Sequence, residues 1–186
     1  MKINRGLTAI KRNRLSAPIK WALDRGQIRS QVYDWGCGRG DDVELLRNEE
    51  LRGLKVIGYD PVHFPKNAPE TVDFSRIKTI ICNYVLNVIE NKRERTMLLK
   101  KIAGKINDDT SVILSVRKDT TINREAKKGN YIAYRDGFVT SRNTFQKGFN
   151  MDEIESLCER YFDISVDAGL SDGIVLVLRK KDEFSL

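Results

Sequence analysis

The 186 residues are 40% hydrophobic and 32% charged, the mixture of a globular chain with enough mass for one core and not that of a disordered or fibrous one. The longest apolar runs, Ile80–Cys82 and Ile174–Leu178, are far too short to span a bilayer, and Met1–Leu15 lacks the apolar stretch of a secretory signal. Cys37, Cys82 and Cys158 form no CxxC pair, so a reducing, cytoplasmic setting is expected, and with His63 the only histidine no metal site is expected.

The net charge of +7 is unevenly placed. Residues 1–30 hold Lys2, Arg5, Lys11, Arg12, Arg14, Lys20, Arg25 and Arg29 against Asp24 alone, and the rest of the chain is neutral. A basic segment on a neutral body suits a polyanion such as DNA or RNA, with Arg12 and Arg14 as candidate contacts; a solvated arm with no dedicated partner is the plainer alternative. The chain reads as one domain, with a basic arm and helix over 1–30 and a ligand-binding body over 31–186.

In chain order, Ser16-Ala17-Pro18 predicts a capped helix that stops at Gly26. Gln31–Asp34 reads as a short buried strand closed by a glycine cluster, and Asp41–Leu46 as a helix with acids at its positive end. Lys55–Tyr59 and Thr79–Cys82 read as strands, Arg93–Ile106 as a helix, and Ser111–Val116 as another strand. A polar, aromatic-bearing insertion is expected at about 118–148. A helix over Asp152–Tyr161 and two strands, Ile164–Val166 and Ile174–Leu178, close the chain. Alternating strands and helices predict a doubly wound, mostly parallel α/β sheet. The last connection is too short for a crossover helix, so the sheet should end in an antiparallel hairpin. Only 22 residues separate Asp60 from Asn83, so one edge strand and its helix are expected to be missing or vestigial.

The chemistry is concentrated in Val32-Tyr33-Asp34-Trp35-Gly36-Cys37-Gly38-Arg39-Gly40. Alternate glycines let backbone amides approach a ligand closely. The loop ends Gly40-Asp41-Asp42, without the Gly-Lys-Ser/Thr of a P-loop, and Asp41 stands where a dinucleotide fingerprint has its third glycine. That leaves a ligand with a cationic amino-acid end, such as S-adenosylmethionine (SAM), with S-adenosylhomocysteine (SAH) as product. Asp34 would accept from its ammonium, and Asp60, 24 residues after Gly36, would hold the ribose hydroxyls. The expected cofactor set is Asp34, Gly36, Cys37, Gly38, Gly40, Asp42, Asp60, Pro61 and Asn83. Asn83 and Tyr84, just past a strand's carboxyl end, are expected beside the reacting group; the two prolines of an Asn-Pro-Pro-aromatic tetrad are absent. Asn87 is expected as a surface or capping residue, His63 as a loop residue, and Asp73 and Phe74 are weak candidates for an adenine pocket.

Thr8-Ala9-Ile10, Leu15–Pro18, Asp34–Val43, Tyr59-Asp60-Pro61, Leu86–Glu90, Asp136–Thr140 and Thr144–Lys147 together resemble the methyltransferases associated with DNA phosphorothioation systems. The similarity runs from about residue 8 to about 180, and the chain corresponds to a stand-alone version of their methyltransferase module. The resemblance implies a Rossmann-like fold, SAM, and a substrate-facing role for the insertion. Tyr131, Arg135, Phe145, Gln146 and Lys147 are then candidate acceptor contacts, and Lys147, with Asn83 and Tyr84, a candidate catalytic residue. The alternative for the insertion is a cap whose aromatics pack inward. Methyl transfer to a nucleic acid or nucleotide-like acceptor is the expected activity, with a non-catalytic SAM-binding partner subunit or a SAM-degrading enzyme as rivals.

Overall fold

The computed structural model describes residues 3–48 and 53–181. Six strands form one sheet: β1 (Val32–Trp35), β2 (Val56–Tyr59), β3 (Thr79–Asn83), β4 (Ser111–Arg117), β8 (Phe162–Gly169) and β9 (Gly173–Lys180), in the order β2-β1-β3-β4-β9-β8. The first four run parallel; β9 runs antiparallel to both β4 and β8. The closing hairpin is longer than its apolar cores suggest, and β8 is irregular at Ser165, between Ile164 and Val166.

Both sheet faces are covered, which is why the central strands read as continuous apolar runs rather than alternating ones. On one face Ile81, Ile113, Val175 and Val177 pack beneath helix α1 (Ala17–Asp24) and helix α2 (Asp41–Arg47) through Ile19, Ala22, Val43 and Leu46. On the other, Ile80, Cys82, Leu114 and Leu176 pack against α3 (Lys92–Ala103) and α5 (Met151–Cys158) through Leu99, Ile102, Ile154 and Cys158. The basic N-terminal helix is thus part of the sheet packing. Ser16 occupies its N-cap position, but the hydroxyl is not spent on the cap.

Between β2 and β3 the chain makes only two short 3-10 turns, Pro65–Asn67 and Phe74–Arg76, and no strand. Phe74 packs at 4.8 Å from the Tyr33 ring and also contacts Trp35, while the Tyr33 hydroxyl donates to the Asn67 carbonyl at 2.7 Å. Phe74 therefore fills core, and Asp73 accepts from the Ser75 amide, which with the Ser75 side chain holds its pKa low. Neither residue lines the cleft described below, so the adenine-pocket suggestion for them is corrected.

The insertion leaves the sheet at Lys118 and returns at Phe149, which form a parallel bridge. Its content is regular structure, including a helix that was not expected. It begins with helix α4 (Asp119–Gly129), whose buried stripe is only Thr121, Ile122 and Ala126, and continues as a three-stranded antiparallel sheet, β5 (Ile132–Tyr134), β6 (Gly137–Val139) and β7 (Phe145–Gln146). Gly148 sits where the two ends meet; a methyl there would stand 2.3 Å from the Asp119 Cα, so no larger residue fits without moving backbone. Asn87, expected at the surface, is buried instead. Its amide donates to the Lys147 carbonyl at 2.5 Å and accepts from the Arg117 amide at 3.1 Å, pinning the returning chain to the end of β4. Asn87→Ala would leave two buried backbone groups unpaired, and a loss of roughly 2–4 kcal/mol in urea unfolding is expected; an unchanged midpoint would show that water replaces the amide.

Candidate functional site

The carboxyl ends of β1, β2 and β3 open into a cleft of about 400 Å³. The glycine loop is held there because the Gly36 and Cys37 amides both donate to the Tyr59 carbonyl, at 2.7 and 2.9 Å, tying the end of β1 to the end of β2. Gly36 has φ +88°, and a methyl on it would lie 2.4 Å from a Val85 methyl, so both conformation and space require glycine. Asp34, Gly36, Cys37, Gly38, Asp42, Asp60, Pro61, Asn83, Tyr84 and Arg12 all line this one cleft. Gly40 does not; it is the left-handed N-cap of α2 and is packed under Phe64. Cys37 is half-buried, and burial raises its thiol far above the usual range, which makes it a poor nucleophile.

The cleft's electrostatics centre on three carboxylates. Asp34 is 2% exposed, and its Oδ1 has no hydrogen-bond partner. Burial, then the charges of Asp42 and Asp60, push its pKa well above the ordinary carboxylate value. Asp42 is better satisfied: it accepts from the Ser16 amide and hydroxyl, each at 2.9 Å, and from the Asn83 amide at 3.3 Å. Asp60 uses one oxygen, Oδ1, to accept from the Val62 and His63 amides, each at 2.9 Å.

Asn83 also donates to Ser16 Oγ at 2.9 Å and accepts from Ser115 Oγ at 2.6 Å. Its amide is thereby spent inside a network joining α1, α2, β3 and β4, which fits a positioning role better than direct contact with a transferred group. Ser16 and Ser115 were not foreseen; a serine at a helix start and one inside a strand carry no signal of a shared site. Tyr84 has φ +58°, an uncommon conformation for an aromatic residue, and its hydroxyl lies against Gly173. Burial raises its pKa, opposed by Arg117 and Arg12, so a neutral phenol faces the cleft at physiological pH.

The remaining candidates are placed elsewhere. Lys147 is buried in a charge cluster, 2.9 Å from Glu153 and 4.5 Å above the Phe149 ring, so it is structural and not catalytic. Phe145 is wholly buried beside Gly137, and Gln146 turns Oε1 inward without a partner. Tyr131 leans on Gly129 at the end of α4, and Arg135 is exposed over Tyr134 and donates to the Glu90 carbonyl. None of the five lines the cleft, and neither does the exposed Arg14. The insertion packs as a cap, with Val139 and Phe145 buried within it and Phe149 buried at its return.

A buried carboxylate with an unpartnered oxygen, flanked by two other carboxylates, is a site prepared for a cation. SAM fits this donor set: Asp34 would hold its ammonium end, the glycine loop its methionine portion, and Asp60 the ribose hydroxyls. The raised pKa carries a stability consequence whose sign follows from linkage. A carboxylate whose folded pKa lies above its unfolded value destabilises the ligand-free fold progressively as pH rises from the unfolded value through the folded one. Asp34→Asn is therefore expected to raise the ligand-free melting temperature at pH 7, to lose that advantage near pH 4, and to abolish SAM binding in calorimetry; unchanged affinity would remove the cofactor assignment.

Comparison with known proteins agrees with this chemistry. A family model described as a methyltransferase domain matches residues 8–161. No curated protein matches the sequence. Among solved structures, a protein from Pyrococcus horikoshii OT3 superposes with a TM-score of 0.66 at 13% identity, covering 88% of this chain and 87% of its own. A SAM-dependent methyltransferase from Anabaena variabilis gives 0.61 at 16% identity, covering 88% and 84%, and one from Clostridium acetobutylicum gives 0.54 at 12%, covering 87% and 88%. At such identities these likenesses speak for the fold, while the family match and the carboxylate-lined cleft speak for the cofactor: the chain belongs to the methyltransferase domain family and is a class I SAM-dependent methyltransferase.

Proposed function

We propose that the protein transfers a methyl group from SAM to a nucleic acid or nucleotide-like acceptor. The observation that carries this reading is the state of the N-terminal cations. Arg5, Lys20 and Arg29 are paired with Glu90 and Glu94, with Asp24 and with Asp109, respectively, whereas Lys11, Arg12 and Arg14 make no ion pair among the described residues. Arg12 lines the cleft, and its charge acts on the Tyr84 phenol, as does that of Arg117. Arg39, exposed on the glycine loop, adds a further cation at the same mouth. A phosphate-bearing acceptor would be drawn to this end of the cleft. The resemblance to the phosphorothioation-associated methyltransferases supports DNA among such acceptors, and we assign the chain to that group.

SAM supplies a methyl already activated on a sulfonium, so the protein's part is alignment and exclusion of water. Asp34 and Asp60 bind and orient the cofactor. The Ser16–Asp42–Asn83–Ser115 network keeps the floor of the cleft rigid, and Tyr84 stands on the acceptor side. We read residues 1–30 and 31–186 as parts of a single domain acting in the cytoplasm. The free cysteines support that setting, and no helix among the described residues is long and apolar enough to cross a membrane.

The full hydrogen-bonding of Asn83 favours a second reading, a SAM-binding partner subunit without catalysis. Incubation with methyl-labelled SAM and DNA, RNA or cell extract separates the two. Label is expected in nucleic acid, whereas label in no fraction, with SAM intact on chromatography, supports the binder. Reversing Lys11, Arg12 and Arg14 to glutamate is expected to weaken nucleic-acid binding and to flatten its salt dependence by up to about 0.9 logarithmic units per lost phosphate contact; an unchanged slope would exclude these residues as the contact surface.

A further inference from the structure

Over residues 4–12 the basic segment packs against the body rather than standing off as a solvated arm. Residues 5–12 lie across the cofactor cleft, and Gly6, Thr8, Ala9, Ile10 and Arg12 line it. The strip is moored at several points. The Arg5 guanidinium donates to Glu90 at 2.9 and 3.1 Å and to both Glu94 oxygens at 2.5 and 2.7 Å, gripping the start of α3. The Asn4 amide donates to the Asn143 carbonyl at 2.8 Å, His63 Nε2 lies 3.2 Å from the Gly6 carbonyl, and the Arg12 amide donates to Asp41 at 2.6 Å. Ala9 meanwhile closes on Gly38 of the glycine loop, where an added methyl would sit 3.1 Å from its Cβ.

These moorings are polar, and apolar burial contributes little. The 3-10 turn Arg5–Thr8 contains no buried residue, and Leu7 and Ile10 are 52% and 68% exposed. A strip held by partly exposed ion pairs and a few hydrogen bonds belongs to the low-stability end of local opening, where binding elements are found. It also covers a cleft that a ligand of SAM's size has to enter. Arg5 is the largest single mooring, because one planar fork serves two carboxylates.

We propose that residues 5–12 are a removable roof of the cofactor cleft and that Arg5, acting through Glu90 and Glu94, is the positioning residue that closes it over bound SAM or SAH. The inference rests on the cofactor assignment but adds residues that the glycine loop and Asp60 do not supply. The roof opens for SAM to load, and its closure retards release. Arg12 then lines the cleft only from the closed position.

The test uses the full chain and SAH, with fluorescence of Trp35, which lines the cleft, as the reporter. In stopped-flow experiments, Arg5→Ala is expected to release SAH about tenfold faster and, because the same pairs close the empty cleft, to bind it no more slowly. Arg5→Lys, which keeps one charge but not the fork, should fall between, and Glu94→Gln should resemble it. In hydrogen exchange on the wild-type protein, amides of residues 4–12 should slow when SAH is added, and in Arg5→Ala they should not. SAH release from Arg5→Ala at the wild-type rate, or wild-type exchange over 4–12 that ignores SAH, would overturn the roof alone. Failure of the wild-type chain to bind SAH saturably would overturn the cofactor assignment and the roof with it.

Discussion

A buried carboxylate oxygen with nothing to bond is costly, and Asp34 Oδ1 is in that state near the carboxyl end of β1. Its neighbours worsen the cost, since Asp42 and Asp60 add negative charge to the same cleft. The rest of the site is arranged so that this cost persists until a cation arrives. The glycine loop is bound back to the Tyr59 carbonyl, which leaves its amides away from Asp34, and Asp42 is stabilised by Ser16 and Asn83 without either reaching Asp34. The protein thereby keeps one strong acceptor in reserve for its cofactor.

The sheet makes this arrangement stiff. Asp34 lies in register with Gly58 on one side and Ile81 on the other, so the three strand ends that form the cleft cannot shift separately. The closing hairpin stands on the far side of β4, and Asn87 ties the insertion's return to the end of that strand. The charges at the insertion's return, buried Arg95 and Lys147 with Asp136 and the exposed Glu153, pair with one another and hold the cap in place.

Much of the fold was legible because its signals are local. Apolar runs such as Thr79–Cys82 and Ser111–Val116 are buried on both faces and admit no other reading, and the short link after Val166 forces an antiparallel hairpin. The glycine spacing and the two acids brought most of the cofactor residues into one cleft for the same reason. Helix α4 was missed because a stripe of Thr121, Ile122 and Ala126 among polar residues is too thin to show a period. Lys147 and Phe145 misled because aromatic and cationic residues look alike in sequence whether they stack on a ligand or pack under a cap. The N-terminal segment is the plainest case: its positive charge suggested an arm, while its actual contacts with Glu90, Glu94, Asn143 and His63 are long-range and leave no trace in spacing.

Asp34 is held ready for a cationic ligand, protonated more readily than an ordinary aspartate. Calorimetry of SAM binding in buffers of different ionisation enthalpy reads this directly, because a carboxylate that ionises as it meets a cation gives up its proton to the buffer. The account predicts proton release by the wild-type protein that diminishes as pH rises past the Asp34 pKa. SAM binding with no proton release across the acid and neutral range would contradict it.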